Sequence, residues 1–532
     1  MARKLLWFVP LGFVALLFYA PLGKIISIGI SSQWAQTLLE PKTLEVIWFT
    51  LWLSGLSALL TIAISIPGAY VLYRRNFRGK DFVRALITVP FMLPTIVVAI
   101  GFTVFRDVHE IYKAIGLNFS DYPIYWIVAA HLFVNYSIGV RTIGGVWANL
   151  DQSIEDAAEL DGAGRLRTAW AIALPQLRGA IFSATALVFL FSATSFGIIL
   201  VLGGGSVQTL ETAIYLKTTQ FLDLPGAASL VMVQTAVTAL AFLIGSSLAK
   251  GEVGLEMVEE SSQAKEIDKR DRPASYLTFG LVISLIAMPM ILVIARAFLV
   301  DGNLGLENFL LLGSQSTKDL LNISFAQAAL NSLRNLSVAS ALAFGIGTLA
   351  SWLLVRTKWK IMDLVFLMPL GVSAVVLGFG YLIFFDSSWF PLRSSWIVVP
   401  LAQSLIALPM VIRLVYPALV AIGKEPREQA SIDGASSFQT FRFIESGMIR
   451  SVLLAAFSYA ALISLGEFGA ANFLAYGSQG TIPTLLYRLI SRPGDQNYSM
   501  AMAVSAILIV VSFLVVWISS NGSRIRIRKV SA

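Results

Sequence analysis

The residues of this sequence whose types and spacing could do chemistry lie in two matching segments, EDAAELDGAGRLRTAWAIALP from Glu155 to Pro175 and REQASIDGASSFQTFRFIESG from Arg427 to Gly447. In each, a short helical stretch carrying small residues (Ala157 and Ala158; Ala430 and Ser431) ends in Asp-Gly: Asp161-Gly162 followed by Ala163, and Asp433-Gly434 followed by Ala435. Glycine accepts the left-handed backbone that stops a helix, so the dipeptide predicts a tight turn. A second amphipathic helix follows, with Trp170, Ile172 and Leu174 in one copy and Phe441, Phe443 and Ile444 in the other. The chemistry of a helix–turn–helix of this kind is docking: small residues let another surface approach the backbone, and the turn fixes the angle of a rigid lever. Covalent chemistry finds little support elsewhere. The chain has no cysteine and two histidines, His109 and His131, which excludes disulfides and clustered His/Cys metal sites. It has no G-x-x-x-x-G-K-[ST] loop to cradle a nucleotide phosphate.

The elements that hold these segments are set by hydropathy. With 57% hydrophobic and 13% charged residues and a mean hydropathy of +0.76, the chain has more apolar surface than a soluble domain buries. Twelve apolar runs are each long enough to cross a bilayer: 5–29, 47–73, 82–105, 124–148, 179–202, 229–249, 275–299, 333–355, 361–385, 396–420, 451–474 and 500–519. Unpaired backbone groups are so costly in lipid that spans of this length must be helices, so the fold class is all-α and polytopic. The first run follows Arg3 and Lys4, is too long for a signal-peptide core, and reads as a retained helix.

The formal net charge of +8 is distributed by loop. Arg74, Arg75, Arg78, Lys80 and Arg84, then Arg165, Arg167 and Arg178, then Arg356, Lys358 and Lys360, then Lys424, Arg427, Arg442 and Arg450 all fall on one side, together with both termini. The positive-inside rule makes that side cytoplasmic and explains the basic balance without nucleic acid, leaving only membrane lipid as an anionic contact.

The two halves repeat at a constant offset of 272 residues: Arg141 with Arg413, Asp161-Gly162-Ala163 with Asp433-Gly434-Ala435, Phe196-Gly197 with Phe468-Gly469, Tyr215 with Tyr487. Six spans separate equivalent points, so the repeat is parallel, about an axis along the membrane normal. The expected organisation is a first half over 1–249, a charged cytoplasmic linker over 250–273 and a second half over 274–532.

The paired loops resemble the E-A-A, three residues, G, about nine residues, I-x-L-P signature of the inner-membrane permeases of binding-protein-dependent ABC importers. Gly162, Ile172, Leu174 and Pro175 fit in the first copy, and Glu428, Gly434 and Ile444 in the second. Asp156 stands where the signature has Glu, although Glu155 precedes it, and Gly447 replaces the second proline. The resemblance implies the type I importer permease fold. It implies that Glu155, Asp156, Ala157, Ala158, Asp161, Gly162, Ala163, Glu428, Ala430, Ser431, Asp433, Gly434 and Ala435 contact two copies of a separate nucleotide-binding ATPase subunit. ATP and magnesium then belong to that subunit. The resemblance implies in turn that this chain is a transport subunit with no cofactor and no enzymatic activity of its own, served by an extracytoplasmic solute-binding protein. The stretches 200–216 and 464–490 resemble the ferric iron and thiamine branch. The alternatives are another solute of the same family (a polyamine, phosphate, molybdate or a sugar) and an ion-coupled secondary transporter, which would carry more intramembrane charge.

Glu467 is the most noticeable acid in an apolar run, and its repeat partner is Ser195. It reads either as a pathway or gate residue or as a structural, pairing carboxylate. His131, beside Asn135 and opposite Gln403 in the repeat, reads as an interhelical hydrogen-bonding group or a solute ligand. Pro90, Pro94 and Pro369 are expected to kink their helices, and Arg141 and Arg413 to snorkel to the interface.

Overall fold

The computed structural model describes residues 5–30, 34–107, 122–248, 265–300, 302–313, 323–357, 365–386 and 392–522. His109 and the side chain of Asp156 lie outside the described residues. Among those described, nine helices are long and apolar enough to cross a bilayer, and three further pairs, bent by 107°, 106° and 85°, bring the number to twelve when each pair is one span. The all-α polytopic expectation holds, and the expected kinks of the third and ninth spans are present as bends of 107° and 106°; the fifth and eleventh runs, which read as continuous, are broken as well, so the breaks recur in both halves.

The third span is Lys80–Met92 followed by Thr95–Asp107. Pro94 disfavours helical backbone at the residue before it, and Leu93 is extended (φ −72°, ψ 143°). Its counterpart, the ninth span, breaks between a 3₁₀ turn at Met368–Gly371 and the helix Ala374–Phe384, where extended Ser373 accepts a hydrogen bond from Val376 N at 3.1 Å. The fifth run, read as 179–202, stops as a helix at Ala193 and restarts as Gly197–Leu202. The eleventh, read as 451–474, stops at Gly466 and restarts as Gly469–Leu474. Each restart is glycine because backbones meet there. A Cβ on Gly197 would lie 2.5 Å from Thr95 Oγ1, and one on Gly469 would lie 2.9 Å from Ala374 Cβ. The breaks of spans three and five therefore pack on each other, as do those of nine and eleven.

The repeat extends to local detail. A capping box at Thr209 and Thr212 starts the helix Leu210–Thr219, and the same box at Thr481 and Thr484 starts Ile482–Ile490. π-helical turns fall at Ala169–Ala173 and Phe441–Glu445. The halves then diverge. Pro175 lies in the first turn of Leu174–Ala193 and the helix continues, whereas Gly447 in its place is followed by an 85° bend before Arg450–Gly466.

The second span, Pro41–Arg74, presents a buried polar row, Thr50, Ser54, Ser57, Thr61 and Ser65. Thr50, Ser54 and Thr61 return their hydroxyls to their own helix, while Ser57 and Ser65 face the fourth span, Pro123–Ala148. Small polar residues let these two helices pack closely, which fixes the fourth span against the cavity described below.

Of the charged segment before the second half, 250–264 lie outside the described residues, and the described end, 265–273, is structured. Lys265–Glu266 pairs in parallel with Arg75–Asn76, and a 3₁₀ turn at Lys269–Asp271 leads straight into the seventh span. Asp271, fully buried, pairs with Arg75 at 3.0 Å and accepts a hydrogen bond from Tyr70 at 2.8 Å. A buried carboxylate of this kind is retained only when paired, so the seventh span is pinned to the end of the second.

Candidate functional site: a cavity between the halves and a matched pair of turns

The four broken spans surround a cavity of about 260 Å³. The first half contributes Met92, Leu93 and Thr95 from one break, Thr194, Ser195 and Phe196 from another, and His131 and Asn135 from the fourth span. The second half contributes Val372 and Ser373, then Gly466, Glu467 and Phe468, with Ile406 and Met410 from the tenth span, Val398–Ala421. Phe196 and Phe468, equivalent in the repeat, stack across the two halves with ring centroids 5.5 Å apart and planes 17° apart. Their equivalent partners Tyr215 and Tyr487 pack on them at 5.2 and 5.5 Å. Four aromatic rings thus meet where the halves join.

Of the residues singled out from sequence, this cavity gathers His131, Ser195 and Glu467. His131 serves both readings: Nδ1 shares a 2.9 Å hydrogen bond with Ser57 Oγ on the second span, while Nε2 is buried with no partner among the described residues. Asn135 donates to Ser192 at 3.3 Å, and its Oδ1 and Ser195 Oγ have no partner among the described residues. Glu467 is 7% exposed and accepts from the backbone N–H groups of Ala470 (2.6 Å) and Ala471 (3.1 Å), so it heads the helix Gly469–Leu474. Gln403 does not share the place of its repeat partner His131; it is buried away from the cavity lining, and its Oε1 meets no donor among the described residues.

The arginine expectation is corrected. Arg141 and Arg413 do not snorkel outward; both line a smaller cavity of about 30 Å³ that shares Phe91, Phe191 and Met410 with the main one. Arg141 Nη1 donates to the hydroxyl of Tyr459, in the eleventh span, at 2.6 Å, joining the halves.

Sequence reading missed Glu211. It is fully buried on Leu210–Thr219, accepts from Gln234 at 2.7 Å and from Ser373 at 2.9 Å, and so ties the first half to the break of the ninth span. The signal was present in the repeat, where position 483, its equivalent, is proline.

The two predicted turns are formed alike. Gly162 and Gly434 have φ of +84° and +79°. The N–H of Ala163 reaches back to the carbonyl of Ala158, and that of Ala435 to Ala430, both at 2.9 Å, the six-to-one bond of a Schellman stop. Immediately before each Asp-Gly, Leu160 and Ile432 project outward, 89% and 78% exposed. Glu428, Asp161 and Asp433 are also exposed. Ala430, at 3% exposed, is turned inward and is not available for the external contact the resemblance assigned it.

The helices before the turns are held differently. Glu155 is an anchor: it pairs with Arg74, at the end of the second span, at 2.9 Å. Position 427, its equivalent, is an arginine that pairs with buried Glu445, which also holds Arg356 at 2.9 Å. Several arginines that read as topology signals are therefore also the pins of these elements.

Two pseudo-equivalent helical halves around one shared cavity, each with a short helix and a glycine turn leading into its fifth span, define a two-half membrane permease. Residues 62–251 and 341–524 each match the binding-protein-dependent transport system inner membrane component family, and the chain belongs to that family, as the permease of an ABC importer. It is 27% identical over 500 residues to a thiamine transport system permease protein of Brucella abortus, covering 90% of this chain and 87% of that one. It is 23% identical over 498 residues to the thiamine transport system permease protein of Escherichia coli K12, covering 91% and 90%. A probable sulfate transport system permease protein of Chlorokybus atmophyticus is 29% identical over 196 residues, covering 36% of this chain and 68% of that one.

Proposed function

We propose that this permease carries thiamine, delivered by an external binding protein, through the cavity between its halves, and that two copies of a separate ATPase subunit drive it through the turns at 155–163 and 427–435. The cavity carries this reading: it lies where the halves meet, is walled by aromatic rings and small polar groups, and among the described residues one carboxylate, Glu467, lines it. Full-length similarity to thiamine permeases supports the same solute. The turns lie on the side where the basic loops gather, which the positive-inside rule makes cytoplasmic, with both termini. Exposed Leu160 and Ile432 suit a groove on the ATPase. Coupling is then a two-state equilibrium of the halves biased by ATP in the partner.

Reconstituted in liposomes with its ATPase and binding protein, the complex is expected to hydrolyse ATP faster with thiamine than without; stimulation by ferric ion instead would overturn the solute. A second prediction uses the cysteine-free background. A Phe196→Cys/Phe468→Cys pair should cross-link through a short bifunctional reagent without nucleotide and fail to do so with ATP trapped. Equal cross-linking in both states would refute separation of the halves at this point.

A further inference from the structure

We infer that Glu467 is the counter-charge for the solute: the cavity takes an organic cation and places its charged end against the second half. This rests on the reading above and adds the residue that selects for charge. The bland alternative is that Glu467 only caps the helix Gly469–Leu474, and the repeat argues against it. Ser195, its equivalent, precedes Gly197–Leu202, yet its Oγ caps nothing and that helix stands without a side-chain cap. A cap is thus dispensable at this position, and where one is wanted serine or asparagine supplies it without a charge. A carboxylate within the membrane is costly and is retained for a partner or a pathway. The two backbone N–H groups occupy two of its roughly four acceptor positions, leaving capacity toward the cavity it lines.

The remaining wall fits a cation. Phe91, Phe191, Phe196 and Phe468 line the same space, and aromatic faces attract cations, most strongly when water is excluded. The unpartnered atoms, Ser195 Oγ, His131 Nε2 and Asn135 Oδ1, all come from the first half, whereas the acid comes from the second. A solute with a cationic ring at one end and hydrogen-bonding heteroatoms at the other is thereby oriented across the pseudo-symmetry axis.

The test is uptake of radiolabelled thiamine by liposomes containing permease, ATPase and binding protein, with thermal unfolding as a folding check. Glu467→Asn keeps a good cap and removes the charge; Glu467→Asp keeps both. Uptake should fall at least tenfold in the first and stay within about threefold of wild type in the second. Glu467→Ser alone should lose uptake, and the double variant Ser195→Glu/Glu467→Ser, which moves the acid across the axis of the same cavity, should recover most of it. Equal uptake by the Asn and Asp variants, or no recovery in a folded double variant, overturns the assignment alone. Wild-type vesicles that take up no thiamine overturn the solute reading and the assignment with it.

Discussion

Replacing Gly162 and Gly434 together by valine is expected to abolish ATP-driven uptake and to release the ATPase subunit from the purified complex, while the spans remain folded. No atom would obstruct the new side chains, because nothing lies within 4 Å of a Cβ at either position. The penalty comes from the backbone. At φ of +84° and +79° an L-residue costs roughly 1–2 kcal/mol, and a β-branched one is a sharper outlier. Each turn would relieve that strain by giving up its six-to-one bond, and with it the fixed direction of Leu160 or Ile432. A displacement of a few ångströms suffices to unseat a docked helix, since binding energy concentrates in a few buried apolar anchors. Co-purification and uptake are the measurements; a double variant that retains both would show that the turns are not the coupling elements. The single variants should be unequal, because the first element is held by Glu155 on Arg74 and the second through Glu445 on both Arg356 and Arg427.

The second large effect is expected at Glu211. Glu211→Ala leaves Gln234 without its side-chain partner and Ser373 without its acceptor, both buried, at about 1–3 kcal/mol for each group left unsatisfied. Ser373 also starts the helix Ala374–Phe384, so the loss reaches the wall of the cavity. The alanine variant should unfold several degrees below wild type in detergent and transport poorly. Glu211→Gln can still accept from Gln234, and its amide can donate to Ser373 Oγ in place of the native bond that Ser373 donates; it keeps the two side chains joined and should retain more of both properties than alanine. If the glutamine variant fails as badly as alanine, the charge of Glu211 matters beyond its hydrogen bonds, and the structural account is wrong.

Much of this was legible in order along the chain. Apolar length alone demanded helical spans, because a single run of about 20 apolar residues can satisfy its own backbone in lipid only as a helix. The 272-residue repeat and the two Asp-Gly stops identified the matched turns, because a left-handed glycine is a local requirement that no distant contact can replace. Other features were visible as residues but not as roles. Glu155 read as a motif acid and is an anchor; Ala430 read as an outer contact and faces inward. Those outcomes depend on which side of a short helix meets the end of a span, and a polar helix outside the membrane has too little periodicity to tell.

The sequence by itself determined the class of protein, the number of halves, the side carrying the basic loops and the turns, since each follows from composition, period or a single backbone angle. Pro94 and Pro369 announced bends in the third and ninth spans, but only the tertiary structure decided that the fifth and eleventh are broken too and that the four broken ends surround one cavity. Tertiary contacts alone put Glu467, Ser195 and His131 around that cavity while leaving Gln403 outside it, and buried Glu211 beneath its wall. A hydropathy run of 20 residues reads the same whether its helix is straight or interrupted in the middle. The interruption is stabilised by contacts from other spans, Gly197 on Thr95 and Gly469 on Ala374, which lie about a hundred residues apart in sequence.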